Sequence, residues 1–337
     1  MHDNPLEALR NFVDPADPVS DAAECYDEMI ERILILSDYA WERRIDKPAI
    51  DRWLENFDGR SGVDPETERL HALYLLSQFL FFGVREMRVL LKALYRDLFL
   101  IPLIQENRAK NGGTRDPLAL SHARSKALEA TRFLGVGNPS ESGVHLLYYF
   151  RQENALQKNQ FMDTAQIFMN EGGTRRVRDT NIRRYVFLDD VCGSGETAVN
   201  YSRDFLKELS EADPKVELSY LCVFATASGL QNVRDNTVFG ERAKAIFDLD
   251  ESYRSLSDKS RYFKILPESI SADTAKTVAL HYGNLVAPCN GGGFGDGQLL
   301  LGFSHNIPDN TLPIIWRDTS NGSPVQWTAV MPRYMKV

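Results

Sequence analysis

The chain has 337 residues, 43% of them hydrophobic and 26% charged, an ordinary globular composition with enough apolar material for one large core or two modest ones. A formal net charge of -8 and an isoelectric point near 5.4 argue against a general nucleic-acid or membrane-surface binder, while leaving room for a local basic patch. Cys25, Cys192, Cys222 and Cys289 lack the paired short spacings of zinc sites and suit a reducing cytosol. No apolar run reaches the roughly 20 residues that span a bilayer. The opening "MHDNPLEALRNF" carries no basic-then-apolar leader, so a cytoplasmic location is expected.

From about residue 20 to 133 apolar residues recur at three and four positions, which predicts several helices. These run through "AAECYDEMIERILILSDYAWERR", "PAIDRWLENF", "PETERLHALYLLSQFLFFG" and "VREMRVLLKALYRDLFLIPLIQEN". Lys47-Pro48 and Asp64-Pro65 mark starts, because proline is tolerated in a first helical turn. The polar "ENRAKNGGTRDP" reads as an exposed loop, and a further helix over roughly 118–133 leads into the turn-rich "GVGNPSESG" at 135–143.

After residue 180 the texture changes. "YVFLDDV" and "VELSYLCVFAT" are rich in β-branched and aromatic residues, and "TAVNYSRDFLKELSEA" between them has helical spacing. That strand-helix-strand unit predicts a parallel pair and an α/β sheet with crossover helices. "AKAIFDLD" at 243–250 continues the sheet, "ADTAKTVALHYGNLV" is a helix, and "QLLLGFSHN" after the glycine cluster at 291–297 is a last strand.

"YVFLDDVCGSGETAVNY" at 185–201 concentrates the chemistry. Ligands of parallel sheets bind outside the carboxyl ends of the strands, where this loop falls. Gly193 and Gly195 allow close backbone approach, Ser194 and Thr197 supply hydroxyls, and the free N–H groups of the following helix complete a cradle for a phosphate dianion. Asp189 and Asp190 cannot hold phosphate themselves, but they accept hydrogen bonds from vicinal hydroxyls, and a ribose 5-phosphate offers both groups at that separation. A strand end and a capped turn would be the bland reading of the same residues. Cys192 reads as a packing side chain or as a low-pKa nucleophile near a helix terminus.

This run resembles the phosphoribosyl-diphosphate motif of type I phosphoribosyltransferases: an apolar strand Tyr185 to Leu188, the acids Asp189 and Asp190, then Val191, Cys192, Gly193, Ser194, Gly195, Glu196 and Thr197. The resemblance implies that Asp189 and Asp190 bind the ribose and that Cys192, Gly193, Ser194, Gly195, Glu196 and Thr197 hold its phosphate. It further implies magnesium, carried with the diphosphate; no residue is assigned as a direct metal ligand. One departure stands out. Some purine-using relatives carry an acid in the loop where this chain has Gly193, which counts against purine salvage.

A narrower likeness joins "LFFGVREMRVLLKALYRDLF", "GNPSESG", the acid-pair strand and "GQLLLGFSHNIPDNTLPIIW", covering roughly residues 30–317. Together they resemble the phosphoribosyltransferase-like effector domain of bacterial conflict, or anti-phage, systems. The implied fold is α/β: a phosphoribosyltransferase-like parallel sheet core with helices on both faces, preceded by a mainly helical N-terminal elaboration. The implied division is a helical region at 1–133 packed on a core with a C-terminal extension at 134–337.

The implied function is chemistry at C1 of a ribose 5-phosphate, in phosphoribosyl diphosphate or a nucleotide, by a glycosyltransferase or a nucleotide N-glycosidic hydrolase serving as a defence effector. The alternative is a non-catalytic nucleotide or phosphoribosyl-diphosphate sensor that regulates a partner. A protein partner from a defence operon is expected; a membrane and nucleic acid are not.

Further contacts to diphosphate or base are expected from four segments. Ser140, Glu141, Ser142 and Gly143 form a pyrophosphate loop or an ordinary turn with a helix cap. Arg176 belongs to "GGTRRVRDTNIRR", a mobile basic loop or a solvated basic face. Thr226 follows the second strand, where Ser228 offers a helix cap as the alternative. His305 and Asn306 suit proton transfer and base reading, or a rigid turn beside a buried Trp316.

Overall fold

A computed structural model describes residues 22–137, 142–203, 205–319 and 325–333. In chain order the strands among them are β1 Leu80–Phe82, β2 Thr131–Gly135, β3 Phe168–Glu171, β4 Thr174–Val177, β5 Arg184–Cys192, β6 Glu217–Thr226, β7 Ala243–Leu249 and β8 Leu301–Phe303. The chain divides into two compact units, residues 86–249 and the residues up to 85 together with those from 250 onward. No described helix is long and apolar enough to cross a membrane.

The 86–249 unit is built on a four-stranded parallel sheet in the order β2-β5-β6-β7. Parallel strands with both faces covered read as continuous apolar runs, and β5 and β6 are buried almost throughout. On one face Tyr185, Phe187 and Tyr220 pack with Leu206 and Leu209 of the helix Phe205–Ala212 and with Leu230 and Val233 of the helix Ala227–Asn236. On the other, Phe133 meets the rings of Phe99 and Phe150 at 5.1 and 5.2 Å, in edge-on or tilted contacts. The expected α/β fold, with helices on both faces of the sheet and a helical N-terminal region, is the fold observed.

Three local expectations give way to longer-range forces. The single helix read over 84–107 runs as α-helix Val84–Ala93, π-helix Leu94–Leu100 and α-helix Ile101–Lys110, with Ile101 N–H reaching back to Arg96 O. Pro102 lacks an N–H and crowds the carbonyl four residues earlier, a strain that a wider preceding turn relieves. The helix expected to reach residue 133 stops at Glu129, and Thr131–Gly135 becomes β2, paired with β5. Residue 133, the end of the helical region in the sequence division, lies inside that strand. β8 pairs in parallel with β1 and does not join the four-stranded sheet.

The other unit gathers the helices Ala22–Tyr39, Lys47–Leu54, Pro65–Ser77 and Ala272–Val286 around Trp53, Phe57, Tyr282 and Trp327. Phe57 meets Trp53, Tyr282 and Trp327 edge-on, at 5.3, 5.0 and 5.3 Å. Asp46, Asp64 and Ser271 cap three of these helices through their side chains. Glu68 has no exposed surface, so its carboxylate needs donors. It takes the N–H groups of Gly59 and Ser61 at 2.7 and 3.0 Å and the hydroxyl of Tyr282 at 2.6 Å.

Removing that hydroxyl takes one of three donors from the buried carboxylate. Tyr282→Phe is expected to destabilise this unit by about 1–3 kcal/mol. All four tryptophans, Trp41, Trp53, Trp316 and Trp327, belong to this unit, so the urea midpoint followed by tryptophan fluorescence checks the loss there.

Candidate functional site

The acid pair lies near the carboxyl end of β5. Asp189 is level with Cys222 of β6, and its carboxylate accepts the Tyr220 hydroxyl at 2.9 Å and the Asp190 N–H at 3.0 Å. Asp190 is 3% exposed and accepts the Val191 N–H at 2.9 Å.

Burial, then the negative charge of Asp190 and a hydrogen bond with its side chain, push the Asp189 carboxyl well above the usual carboxylate range; the Tyr220 hydroxyl opposes them. Like charges this close in so dry a place oppose each other's ionisation. Burial, with the charge of Asp189 second, pushes the Cys192 thiol up to about 12. Cys192 is therefore a neutral packing side chain, not a thiolate nucleophile.

Beyond Cys192 the backbone turns through Gly193, Ser194 and Gly195 into the helix Glu196–Arg203. Gly195 takes φ +77°, a conformation open to glycine, and its carbonyl accepts the Val199 N–H at 3.0 Å to begin the helix. The helix Ala227–Asn236, which follows β6, grips this loop together with its cap. Thr226 donates its hydroxyl to Gly193 O at 2.5 Å and accepts the Gly229 N–H at 2.9 Å, while Asn232 Nδ2 donates to Ser194 O at 2.8 Å.

The approach is so close that a Cβ on Gly229 would collide with the Gly193 carbonyl, and one on Gly195 would lie 2.5 Å from Gly229 O. Two loop carbonyls are thus spent on the neighbouring helix. The first-turn N–H groups after Gly195 have no acceptor within their own helix and lie at its positive end. Glu196 and Thr197, on that first turn, are exposed.

Thr226 is the helix cap, two residues before Ser228, and acts on the loop by positioning it. β2 leaves the sheet next to the acids, since Val136 N–H donates to Leu188 O at 3.1 Å and Gly137 turns with φ +91°. Ser140 and Glu141 lie outside the described residues; Ser142 and Gly143 open the helix Ser142–Glu153.

The arginine-rich segment contributes β4 of the hairpin β3–β4, turned by Gly172 and Gly173 at φ +58° and +81°. Arg176 pairs there with Glu171 at 3.3 Å and Arg175 with Glu208 at 2.8 Å. Arg183 meets Asp213, and Arg184 meets Glu106 and Glu217, where β5 begins, about 26 Å along the strand from Cys192. His305 and Asn306 belong to the other unit, in a tight turn where Phe303 N–H donates to Asn306 O at 2.9 Å and the His305 ring stacks on Phe303. Trp316 is buried, with its indole N–H on Thr311 O.

The structure therefore gathers Asp189, Asp190, Cys192 to Thr197 and Thr226 at one sheet edge. Tyr220 and Asn232 complete the arrangement and were not singled out from the sequence. Tyr220 reaches Asp189 only through the pairing register of β5 with β6, and Asn232 reaches Ser194 only through packing of the two crossover helices.

None of the curated proteins compared matches this chain. Among solved structures, it is similar to xanthine-guanine-hypoxanthine phosphoribosyltransferase of Helicobacter pylori, at 11% identity over 51% of this chain and 84% of that one, with a TM-score of 0.24. It is also similar to orotate phosphoribosyltransferase from Aeropyrum pernix, at 14% identity over 38% and 72% of the two chains, with a TM-score of 0.22. The PRTase-CE family profile matches residues 50–333, most of the chain, acid pair and loop included. On that match the chain belongs to the phosphoribosyltransferase-like PRTase-CE family.

Proposed function

We propose that the β5 loop binds a ribose 5-phosphate, and that the protein acts at C1 of that sugar with phosphoribosyl diphosphate or a nucleotide as substrate. The observation that carries this reading is the buried Asp189–Asp190 pair set immediately before a glycine loop held by its carbonyls. A vicinal diol presents two hydroxyl donors to two adjacent carboxyls, and a phosphate dianion accepts from the first-turn N–H groups. Breaking the bond at C1 leaves a cation-like sugar, so negative charge on the pair stabilises the transition state more than the ground state.

Magnesium fits this arrangement as an ion brought by the substrate. It typically takes one or two carboxylates together with substrate phosphates, and Asp189 and Asp190 supply the carboxylates. Among the described residues no cluster of three or more His, Cys, Asp or Glu side chains could hold a metal. When bound, magnesium neutralises charge on a departing diphosphate.

On the family resemblance in the sequence, we place this chemistry in anti-phage defence in the bacterial cytosol, alongside a protein partner. A sensor would bind through the same groups without turning its ligand over.

Calorimetry with phosphoribosyl diphosphate and magnesium tests the reading. We expect saturable binding by the wild type, lost by at least tenfold in the Asp189→Asn, Asp190→Asn double variant, and release of diphosphate or base in the presence of an acceptor or water. Binding without turnover would select the sensor; no binding by folded wild type would reject this donor. In cells protected by the wild-type system, phage plating should recover with the double variant.

Gly229→Ala tests the loop without touching the acids. Its Cβ displaces the Gly193 carbonyl, and a tenfold or greater loss of affinity is expected, measured by the same titration.

The raised Asp189 carboxyl gives a stability signature. Because the folded Asp189 pKa is raised, the stability it confers is fully present below the unfolded value, about 3.9, and is lost as pH rises through the folded value. Asp189→Asn should remove that slope and raise stability at neutral pH. Amide exchange across 184–192, measured from pH 5 to 8 and corrected for the intrinsic rate, reads this difference.

A further inference from the structure

A cavity opens in the 86–249 unit, with a volume of about 270 Å³. Its lining includes Arg132 of β2, Tyr185 of β5, Phe161, Gln166, Ile167 and Arg178. Tyr185 is the second residue of β5, so the cavity lies toward the amino ends of the strands, about 13 Å along β5 from Asp189.

Tyr185 has no exposed surface, and its hydroxyl meets no hydrogen-bond partner. Orphaned buried hydroxyls are uncommon because they forfeit the hydration they had in the unfolded chain. Burial pushes this phenol up to about 12, with Asp179 adding to the rise and Arg132 opposing it. At neutral pH it is therefore a hydrogen-bond donor beside a guanidinium.

Two of the Arg132 donor positions are taken, since Nη1 donates to the carbonyls of Glu129 and Thr131. A guanidinium has further N–H groups to offer. Arg178 brings a second cation. Gln166 spends its carbonyl oxygen on Asp163 N–H, which leaves its amide NH₂ as another donor. The lining carboxylate, Asp179, is engaged with the backbone and side chain of Asn181. Phe161 and Ile167 supply apolar surface. Donors and positive charge together with apolar surface in one cavity suit a flat body bearing an anionic group.

We propose that this cavity is a second ligand site, separate from the acid-pair loop, that takes a small planar aromatic anion with the Tyr185 hydroxyl as a buried donor. An engineered apolar cavity of roughly 150 Å³ holds benzene, so about 270 Å³ accommodates a two-ring body with one carboxylate.

The probe is 2-naphthoate, titrated by its own fluorescence into the full-length protein, with 2-naphthamide as the neutral isostere. We expect one-to-one binding of the carboxylate, at least fivefold tighter than the amide. Tyr185→Phe keeps the ring and should weaken binding by about threefold to tenfold, and Arg178→Ala by about tenfold. The Asp189→Asn, Asp190→Asn variant should bind unchanged, which separates this site from the proposed sugar-phosphate clamp. Absence of binding at millimolar naphthoate, equal affinity for the amide, or indifference to both cavity substitutions in folded protein would each overturn the proposal.

Discussion

The carbonyl of Gly193 rests against the Cα of Gly229, and the candidate site depends on this contact between two backbones. Neighbouring strands stand about 4.8 Å apart, and crossover helices normally diverge from them with side chains between. Here glycine at Gly229 and Gly195 removes the side chains that would hold the loop off, and Thr226 and Asn232 bind its carbonyls. A loop fixed through its acceptors is ready to present donors. The arrangement is thus set before any ligand arrives, which lowers the ordering cost of binding an anion.

The acid pair imposes the opposite kind of constraint. A buried carboxyl raised by desolvation and by its neighbour contributes nothing favourable to folding at neutral pH, and Asp189 is such a group on β5, a middle strand of the sheet. The aromatic packing on both sheet faces supplies the compensating stability: Phe187 and Tyr220 against Phe239 on one side, Phe133 against Phe99 and Phe150 on the other. Local destabilisation held by a well-packed surround is a common property of functional sites, since stability and chemistry compete for the same residues.

What could be read from the sequence follows from the range of the forces involved. β5 and β6 announce themselves through runs rich in β-branched and aromatic residues, and the helix starts at Lys47-Pro48 and Asp64-Pro65 through proline in the first turn. The acid-pair loop was legible because its strand, acids, glycines and helix start are contiguous. β2 was not: "TRFLG" is short, follows a helix directly, and owes its strand geometry to pairing with β5. The β3–β4 hairpin was hidden in the same way, since its arginines suggest a basic loop until Glu171 and Glu208 are seen beside them. Tyr220 and Asn232 depend on register and helix packing, which no local pattern encodes.

The two ends of β5 divide the electrostatics. At the amino end Arg183 and Arg184 meet Asp213, Glu106 and Glu217, so those cations are already neutralised within the fold. Arg175 and Arg176 likewise face Glu208 and Glu171. None of these pairs can turn to a diphosphate without abandoning a carboxylate. On the proposed reading, the positive potential at the carboxyl end comes from two other sources: the oriented N–H groups of the helix Glu196–Arg203, which suit a 5-phosphate, and a substrate-borne divalent ion, which suits a diphosphate. On that reading an acidic chain with its neighbouring arginines engaged can still bind a multiply charged anion: the carboxyl pair that would repel the ligand faces the same cation that draws the ligand in, and the cation favours the pair's ionised form, its protons leaving to solvent.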